Sequence, residues 1–143
     1  VFLMLPGDRF VAGLGAFFLT HLAYLAAFTS EAPFAAVPAA FVLFAVAETP
    51  ILFVTWPRLP RRLRLPVLVY AAVLGAMAGQ ALTQALLNPI LPAIAAAVGA
   101  TLFVVSDSTL VVNRFVRPFR LSPVLVLSSY YAAQILIALS VLP

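Results

Sequence analysis

The sequence contains no cysteine, no lysine and a single histidine. Without cysteine the chain forms no disulfide and carries no thiol nucleophile. A structural zinc site is not expected, because such sites combine several cysteine and histidine ligands. Charged residues are also scarce, at 8% of the 143 residues. A soluble domain of this length needs a far more polar surface, so the chain is not expected to be a soluble domain.

Apolar residues dominate instead, since 65% of the chain is hydrophobic and the mean hydropathy is +1.18. Lipid-facing helices need no polar coat, so this composition predicts an all-α fold class, a polytopic transmembrane helix bundle. The net charge of +4 comes from eight arginines against four acids, and seven of those arginines fall in two short segments between apolar runs. Such segments are typical of loops that face anionic lipid, so we expect the bilayer and not nucleic acid as a partner.

Hydropathy and turn residues predict five spans in a single transmembrane domain covering residues 1–143. Each span is close to or longer than the ~20 residues that cross a hydrocarbon core. The predicted spans are 10–28, 34–56, 65–87, 89–112 and 122–142. The apolar stub Val1–Leu5 precedes them and is interpreted as the tail of an earlier helix, so we interpret the chain as a C-terminal fragment of a longer protein.

Proline and polar residues predict the ends of these spans. Thr29–Pro33 is expected to form a polar turn, and Pro38 and Pro50 are expected to kink the second span. Asn88 followed by Pro89 has the pattern of an N-cap and a first helical residue.

The arginines also predict an orientation. The loops 57–64 and 113–120 hold seven of them and lie on one face of the membrane, with Trp56 at the interface. The loops on the opposite face carry a single charged residue, Glu31. The positive-inside rule then places the basic loops in the cytoplasm. We expect a multi-pass protein of the cell membrane, specifically a bacterial inner membrane, with phosphate binding as a second interpretation of the arginine loops.

One carboxylate lies in the stretch 99–115, where Asp107 stands between Ser106 and Ser108 near one end of the fourth span. An acid at the centre of a membrane helix costs roughly 2.5–3.5 kcal/mol, so one that persists there is normally paired, hydrated or functional. Asp107 is therefore the first candidate for function. The alternatives are that it extends toward interfacial water or pairs with Arg114.

Polar side chains of all five spans occur at similar depths. At a rise of 1.5 Å per residue, they lie roughly 8–18 Å from the basic face or close to the midplane. Helical spacing also places His21 and Tyr24 on one stripe of the first span. The shared layer consists of His21, Glu48, Gln80, Asp107, Tyr130 and Gln134.

Each of these residues also has a structural interpretation. His21 and Gln80 could form hydrogen bonds that hold helices together, and the tyrosines could be packing residues with one satisfied hydroxyl. Glu48 could be a protonated hydrogen-bond partner beside the Pro50 kink.

Three segments carry recognisable motifs. The first span contains FVAGLGAFFLTHLAYLAAF, which fits the pattern F-x-x-G-x-x-x-F-x-x-x-H-x-x-Y. The fourth contains GATLFVVSDSTLVVNRF, which fits G-A-x-x-F-x-x-S-D-x-x-L-x-x-x-x-F. The fifth contains SSYYAAQILIALS, which fits S-Y-x-x-A-Q-x-L-I. These three motifs resemble those of the YhhN family of lysoplasmalogenase-like membrane proteins, and the likeness covers nearly the whole chain and is weakest in the second span.

The resemblance implies an eight-helix membrane enzyme that cleaves the vinyl ether of a lysophospholipid, releasing a fatty aldehyde and a glycerophospho-alcohol. Such hydrolysis protonates the alkenyl carbon and then adds water, which requires a protonated acid and a second carboxylate. Asp107 matches the acid of the family's serine-aspartate motif, and the family's second acid would fall before Val1. No cofactor or metal is expected. The predicted catalytic residues are Asp107 and His21, and the predicted substrate-binding or supporting residues are Tyr24, Glu48, Gln80, Ser106, Tyr130 and Gln134.

A second class of function stays open. A proton-coupled carrier, or a lipid-binding membrane protein without hydrolase activity, would also place acids, histidine and tyrosines at mid-depth. A carrier is expected to show an internal repeat with paired broken helices, and the sequence has no such self-similarity.

Overall fold

The structure, a computed structural model, describes residues 10–141. Within that range it is built from five α-helices, each long and apolar enough to cross a membrane, which confirms the predicted all-α fold class. The predicted helix tail Val1–Leu5 lies outside the described residues. The helices are α1 (Phe10–Glu31), α2 (Pro38–Thr55), α3 (Arg61–Leu87), α4 (Leu91–Phe115) and α5 (Ser122–Ser140).

Helices α3 and α4 form the centre of the bundle. In the most apolar stretch of 18 residues of each of these two helices, 50% of the residues are buried, against 22% in each of the other three helices. Helices α1 and α2 pack on α3, α5 packs along α4, and α2 also touches α4. The α4–α5 contact is close at Gly99, which has no side chain. A Cβ atom there would lie 2.9 Å from Ile137 Cγ1 and 3.0 Å from the carbonyl oxygen of Ala133. A small residue at such a position lets the two helices pack closely.

The connection between α1 and α2 differs from the prediction. Helix α1 continues through Thr29 and Ser30 to Glu31, and the two hydroxyls donate to main-chain carbonyls of the preceding turn, at 2.7 Å each. Helix α2 begins at Pro38 and not at Phe34, so Pro38 starts the helix and does not kink it. Ala35 prevents an earlier start, since its φ of 54° is left-handed. Pro50 does lie inside α2.

The ends of α3 and α4 also need correction. Helix α3 begins at Arg61, four residues before the predicted start, because arginine propagates a helix well once Pro60 has set its entry. The N-cap of α4 is Ile90 and not Asn88, and Pro92 lies in its first turn. At its other end α4 extends three residues past the predicted boundary to Phe115.

Candidate active site

Three side chains from three helices form a hydrogen-bonded chain inside the bundle. His21 of α1 lies with Nε2 2.9 Å from the hydroxyl oxygen of Tyr70 on α3, and that hydroxyl donates to Oδ2 of Asp107 on α4. His21 Nε2 is also 3.6 Å from Asp107 Oδ2. All three residues are buried, and His21 is 0% exposed. The structure therefore brings both predicted catalytic residues together, with Tyr70 between them.

The hydrogen bonds determine which atoms carry protons. A phenol has one hydrogen, so Tyr70 cannot donate to both of its neighbours. Since its hydroxyl donates to Asp107 Oδ2, the proton of the other bond must come from His21 Nε2. In a neutral imidazole Nδ1 is then an acceptor, and Nδ1 of His21 is buried without a hydrogen-bond partner. Asp107 Oδ2 is thus an acceptor, which leaves Oδ1 to hold any proton that the carboxyl group transfers.

Helix geometry positions these groups. His21 lies on the inward face of α1 with the buried residues Gly13, Leu14 and Phe28. The ring of Phe103 on α4 meets the His21 ring edge-on, with centroids 5.0 Å apart. Because Phe103 is completely buried, it closes one side of the site with apolar surface. Polar interactions at Asp107 therefore operate in a medium of low dielectric, where they are stronger than in water.

Glu48 of α2 lies near Tyr70 and Asp107. It lines a small cavity of about 40 Å³ together with Tyr70, Asp107 and Ser108. Glu48 also lines a larger cleft of about 380 Å³ between α2 and α3. Its atom Oε1 is buried and accepts no hydrogen bond. Two acidic residues from two helices thus line one small cavity, whose surface is almost wholly apolar.

A second polar group lies between α1 and α5. The hydroxyl of Tyr24 donates to Gln134 Oε1 at 2.7 Å, and Gln134 Nε2 donates to the hydroxyl oxygen of Tyr130 at 3.4 Å. Phe103 separates this group from the first, since its ring centroid lies 6.2 Å from that of Tyr24 and 5.6 Å from that of Tyr130. These three predicted supporting residues therefore contact one another and not the carboxyl groups.

The structure places two other predicted residues away from the site. The amide of Gln80 donates to the carbonyl of Ala32 at 2.9 Å and accepts from the N–H of Ala35 at 3.2 Å, so it holds the α1–α2 connection. Ser106 Oγ donates to the carbonyl of Val126 at 3.1 Å, toward α5. In the structure both side chains thus make contacts between elements of the fold.

The one feature of the sequence that points to Tyr70 is its depth in the membrane. Tyr70 lies five residues into the predicted third span, roughly 8 Å from the basic face, and Asp107 was estimated at a similar depth. Tyrosine is so often a packing residue that the depth did not distinguish it. Phe103 gave no polar signal, and only the packed helices reveal its place between the two polar groups.

The donor set points to acid–base chemistry. Among residues 10–141, no three or more histidine and carboxylate side chains are arranged to hold a metal ion. A buried carboxyl group held by a tyrosine, near a second carboxyl group, can transfer a proton to a bound ligand.

A family model and several curated proteins match this chain. The model of the YhhN family matches residues 1–141. A protein of Mycobacterium bovis named lysoplasmalogenase is 40% identical over 133 residues, which cover 90% of this chain and 49% of the relative. Lysoplasmalogenase TMEM86A of Bos taurus is 36% identical over 137 residues, covering 92% of this chain and 55% of the relative. Lysoplasmalogenase TMEM86B of Homo sapiens is 35% identical over 133 residues, covering 93% of this chain and 54% of the relative. The chain spans about half the length of these curated relatives, and no solved structure matches it.

Proposed function

The chain belongs to the YhhN family, and on that premise we propose that its His21–Tyr70–Asp107 chain is the acid centre of a membrane ether hydrolase. The substrate class is a lysophospholipid with a vinyl ether, as the name of the relatives suggests. The observation that carries this proposal is the buried hydrogen-bonded contact of Tyr70 with Asp107, backed by His21. Such a contact orients one carboxyl oxygen and leaves the other free for proton transfer.

Asp107 acts as the general acid. Its proton passes to the alkenyl carbon distal to the ether oxygen, and the electron pair of the double bond forms the new C–H bond. The product of this step is an oxocarbenium ion beside the Asp107 carboxylate. The bond donated by Tyr70 stabilises that carboxylate, and the bond from His21 polarises the tyrosine hydroxyl and makes it a better donor. Tyr70 and His21 are positioning residues in this scheme.

The lipid headgroup lies toward the arginine-bearing end of the bundle. Asp107 is seven residues from Arg114 on α4, a distance of about 10 Å along the helix axis. This is comparable with the length of a glycerophosphate headgroup, so the phosphate can be attracted by the basic loops while the vinyl ether reaches Asp107. By the positive-inside rule we place those loops in the cytoplasm. The Tyr24–Gln134–Tyr130 group holds α1 against α5 beside the site.

The direct test is release of fatty aldehyde by the intact protein, purified in detergent, from a single-chain glycerophospholipid that carries an alk-1-enyl chain. Asp107→Asn keeps the shape of the side chain and removes the transferable proton. We expect kcat to fall by at least about 100-fold, with the thermal unfolding midpoint close to that of the unsubstituted protein.

Two controls accompany this measurement. The analogue with a saturated alkyl ether should not be cleaved, because it has no double bond to protonate. Thr109→Ala removes a hydroxyl on the same helix that bonds only its own main chain, and should leave turnover unchanged. Full turnover by Asp107→Asn would contradict the assignment of the acid, and loss of folding with activity would favour a structural role for Asp107.

The alternative is a proton-coupled carrier or lipid-binding protein. The same buried chain of histidine, tyrosine and aspartate would serve proton transfer there. The aldehyde assay separates the two, because a carrier moves its ligand without forming a product.

A further inference from the structure

We propose that the cleft between α2 and α3 binds the lipid substrate, with the hydrocarbon chain along the cleft and the phosphate at Arg58. This inference rests on the proposed function, since it names the place where the single-chain phospholipid binds. It also assigns one arginine a specific ligand, whereas the positive-inside rule treats all the arginines of the basic loops alike.

The cleft has the shape and the surface that a hydrocarbon chain needs. Its volume is about 380 Å³, within the roughly 300–1,000 Å³ that is typical of small-ligand sites. It follows α2 from Phe41 to Leu52, a length of about 16 Å at the helical rise. The α3 side of the cleft is formed mainly by small residues, which are Ala71, Ala72, Gly75 and Ala76. Small side chains on one helix leave room for a lipid chain beside the other.

A second groove continues the cleft toward the basic end of the bundle. Its volume is about 670 Å³, and it adjoins the cleft because Thr49 and Leu52 line both. Trp56 and Arg58, in the single 3₁₀ turn that follows α2, also line this groove. The two grooves therefore form one mostly apolar path that begins at an arginine and follows α2 into the span. A phospholipid in a bilayer has the same polarity, with its phosphate at the interface and its chain in the hydrocarbon.

Arg58 is placed to bind an anion at the start of this path. The segment 57–64 contains four arginines and no acid, so it supplies no negative charge of its own. Arg58 is exposed, and its Nη1 donates to the carbonyl of Val54 at 2.7 Å, which holds the side chain against the end of α2. That bond leaves other donors of the planar guanidinium group for a phosphate, which arginine binds through two parallel hydrogen bonds.

Arg64 adds positive charge at the same end of the groove. Its guanidinium carbon lies 5.4 Å from the centroid of the Trp56 ring, which is a cation–π distance. Its Nε atom is buried without a hydrogen-bond partner, although buried polar atoms normally have one. A second cation thus lies on the ring that lines the groove, and positive charge beside an apolar groove favours an anionic amphiphile over a neutral one.

The path also brings the ether of a bound lipid next to the acid. Glu48, Leu52 and Ala71 line both the cleft and the small cavity that Asp107 lines. Leu52 precedes Arg58 by six residues, which is about 9 Å at the helical rise and comparable with the length of a glycerophosphate headgroup. A lipid with its phosphate at Arg58 therefore has its ether at the depth of Leu52, in the wall shared with the Asp107 cavity.

The first test measures binding of a lipid that cannot be cleaved, a lysophospholipid with a saturated alkyl ether, to the intact protein in detergent. Arg58→Gln should weaken binding by at least about 10-fold, the effect of losing a hydrogen bond to a charged group. Arg120→Gln removes the same charge from the other basic loop and should change the affinity by less than about 2-fold. The corresponding alkylglycerol, which has no phosphate, should bind both variants equally. Equal losses of phospholipid binding in the two variants would overturn the assignment of Arg58.

The second test fills the cleft. Ala45 and Ala47 are both exposed on α2, and of the two Ala45 lines the cleft. Ala45→Leu should weaken binding of the phospholipid and of the alkylglycerol alike, by about 10-fold, because the leucine occupies space that the chain needs. Ala47→Leu should leave both affinities unchanged. Matching affinities in the two leucine variants would overturn the cleft as the site of the chain.

The third test locates the chain directly. A diazirine on the alkyl chain of the same lipid should label α2 and α3 on illumination, and label found only outside these two helices would overturn the proposal. None of the three tests needs turnover. If the lipid binds as expected and the alkenyl lipid yields no aldehyde, the proposed function fails and the binding site stands. If aldehyde is released while Arg58→Gln and Ala45→Leu bind lipid as the unsubstituted protein does, this binding site fails and the proposed function stands.

Discussion

Replacing Tyr70 with phenylalanine removes one oxygen atom and interrupts the chain between His21 and Asp107. Two hydrogen bonds are lost, one of them to a carboxyl group. Interhelical hydrogen bonds in membrane proteins average about 0.6 kcal/mol and reach about 1.7 kcal/mol, so the free energy of unfolding should fall by about 1–3 kcal/mol. The effect on catalysis should be larger than on binding, because the Tyr70 bond matters most when Asp107 becomes a carboxylate.

The rate effect can be estimated from the same bond. A hydrogen bond to a charged group contributes about 1.5–3 kcal/mol, and each 1.36 kcal/mol in the barrier is tenfold in rate. The expected decrease in kcat is therefore about 10–150-fold, with KM for the alkenyl lipid little changed. The lower end applies if His21 Nε2, now 3.6 Å from Asp107 Oδ2, moves in to bond it directly.

The assay is aldehyde release over a range of lipid concentrations, with thermal unfolding of the same preparations. Tyr131→Phe is the matched control, because the Tyr131 side chain is 54% exposed and should tolerate loss of its hydroxyl. A Tyr70→Phe protein that keeps more than half of the parental kcat would refute the view that this hydroxyl positions Asp107. An equal fall in both variants would indicate a general effect of tyrosine loss.

Further predictions concern the fold. Gln80→Leu removes the amide that binds Ala32 and Ala35, so the unfolding midpoint should fall. Its kcat, measured as aldehyde release per folded protein, should stay near the parental value. Gly99→Ala forces a methyl group against the backbone of α5 and should cost about 1–3 kcal/mol in thermal or denaturant unfolding. Gly15→Ala has nothing within 4 Å of the added Cβ and should be neutral, and an equal loss in both variants would contradict the packing argument.

Part of the site follows from residue type and depth. Asp107 and His21 are rare ionisable residues inside apolar spans, and the cost of such residues in lipid makes them candidates before any fold is known. Glu48 is a candidate for the same reason. The rotation of one helix against another is harder to predict. Neighbouring residues on a helix differ in direction by about 100°, so Ser106 and Asp107 point to different helices, the first to α5 and the second to α3.

The sequence by itself determines that residues 10–141 form five apolar helices, because apolar runs of this length satisfy their backbone in lipid as membrane helices. It also determines that arginine gathers at one end of the bundle. The tertiary structure decides which polar side chains meet. Tyr70 joins His21 to Asp107, Gln80 turns to the α1–α2 connection, and Phe103 divides the polar groups, because these contacts depend on how the helices are rotated and packed. Periodicity places a residue on a face of its own helix, and only the neighbouring helices determine what that face contacts.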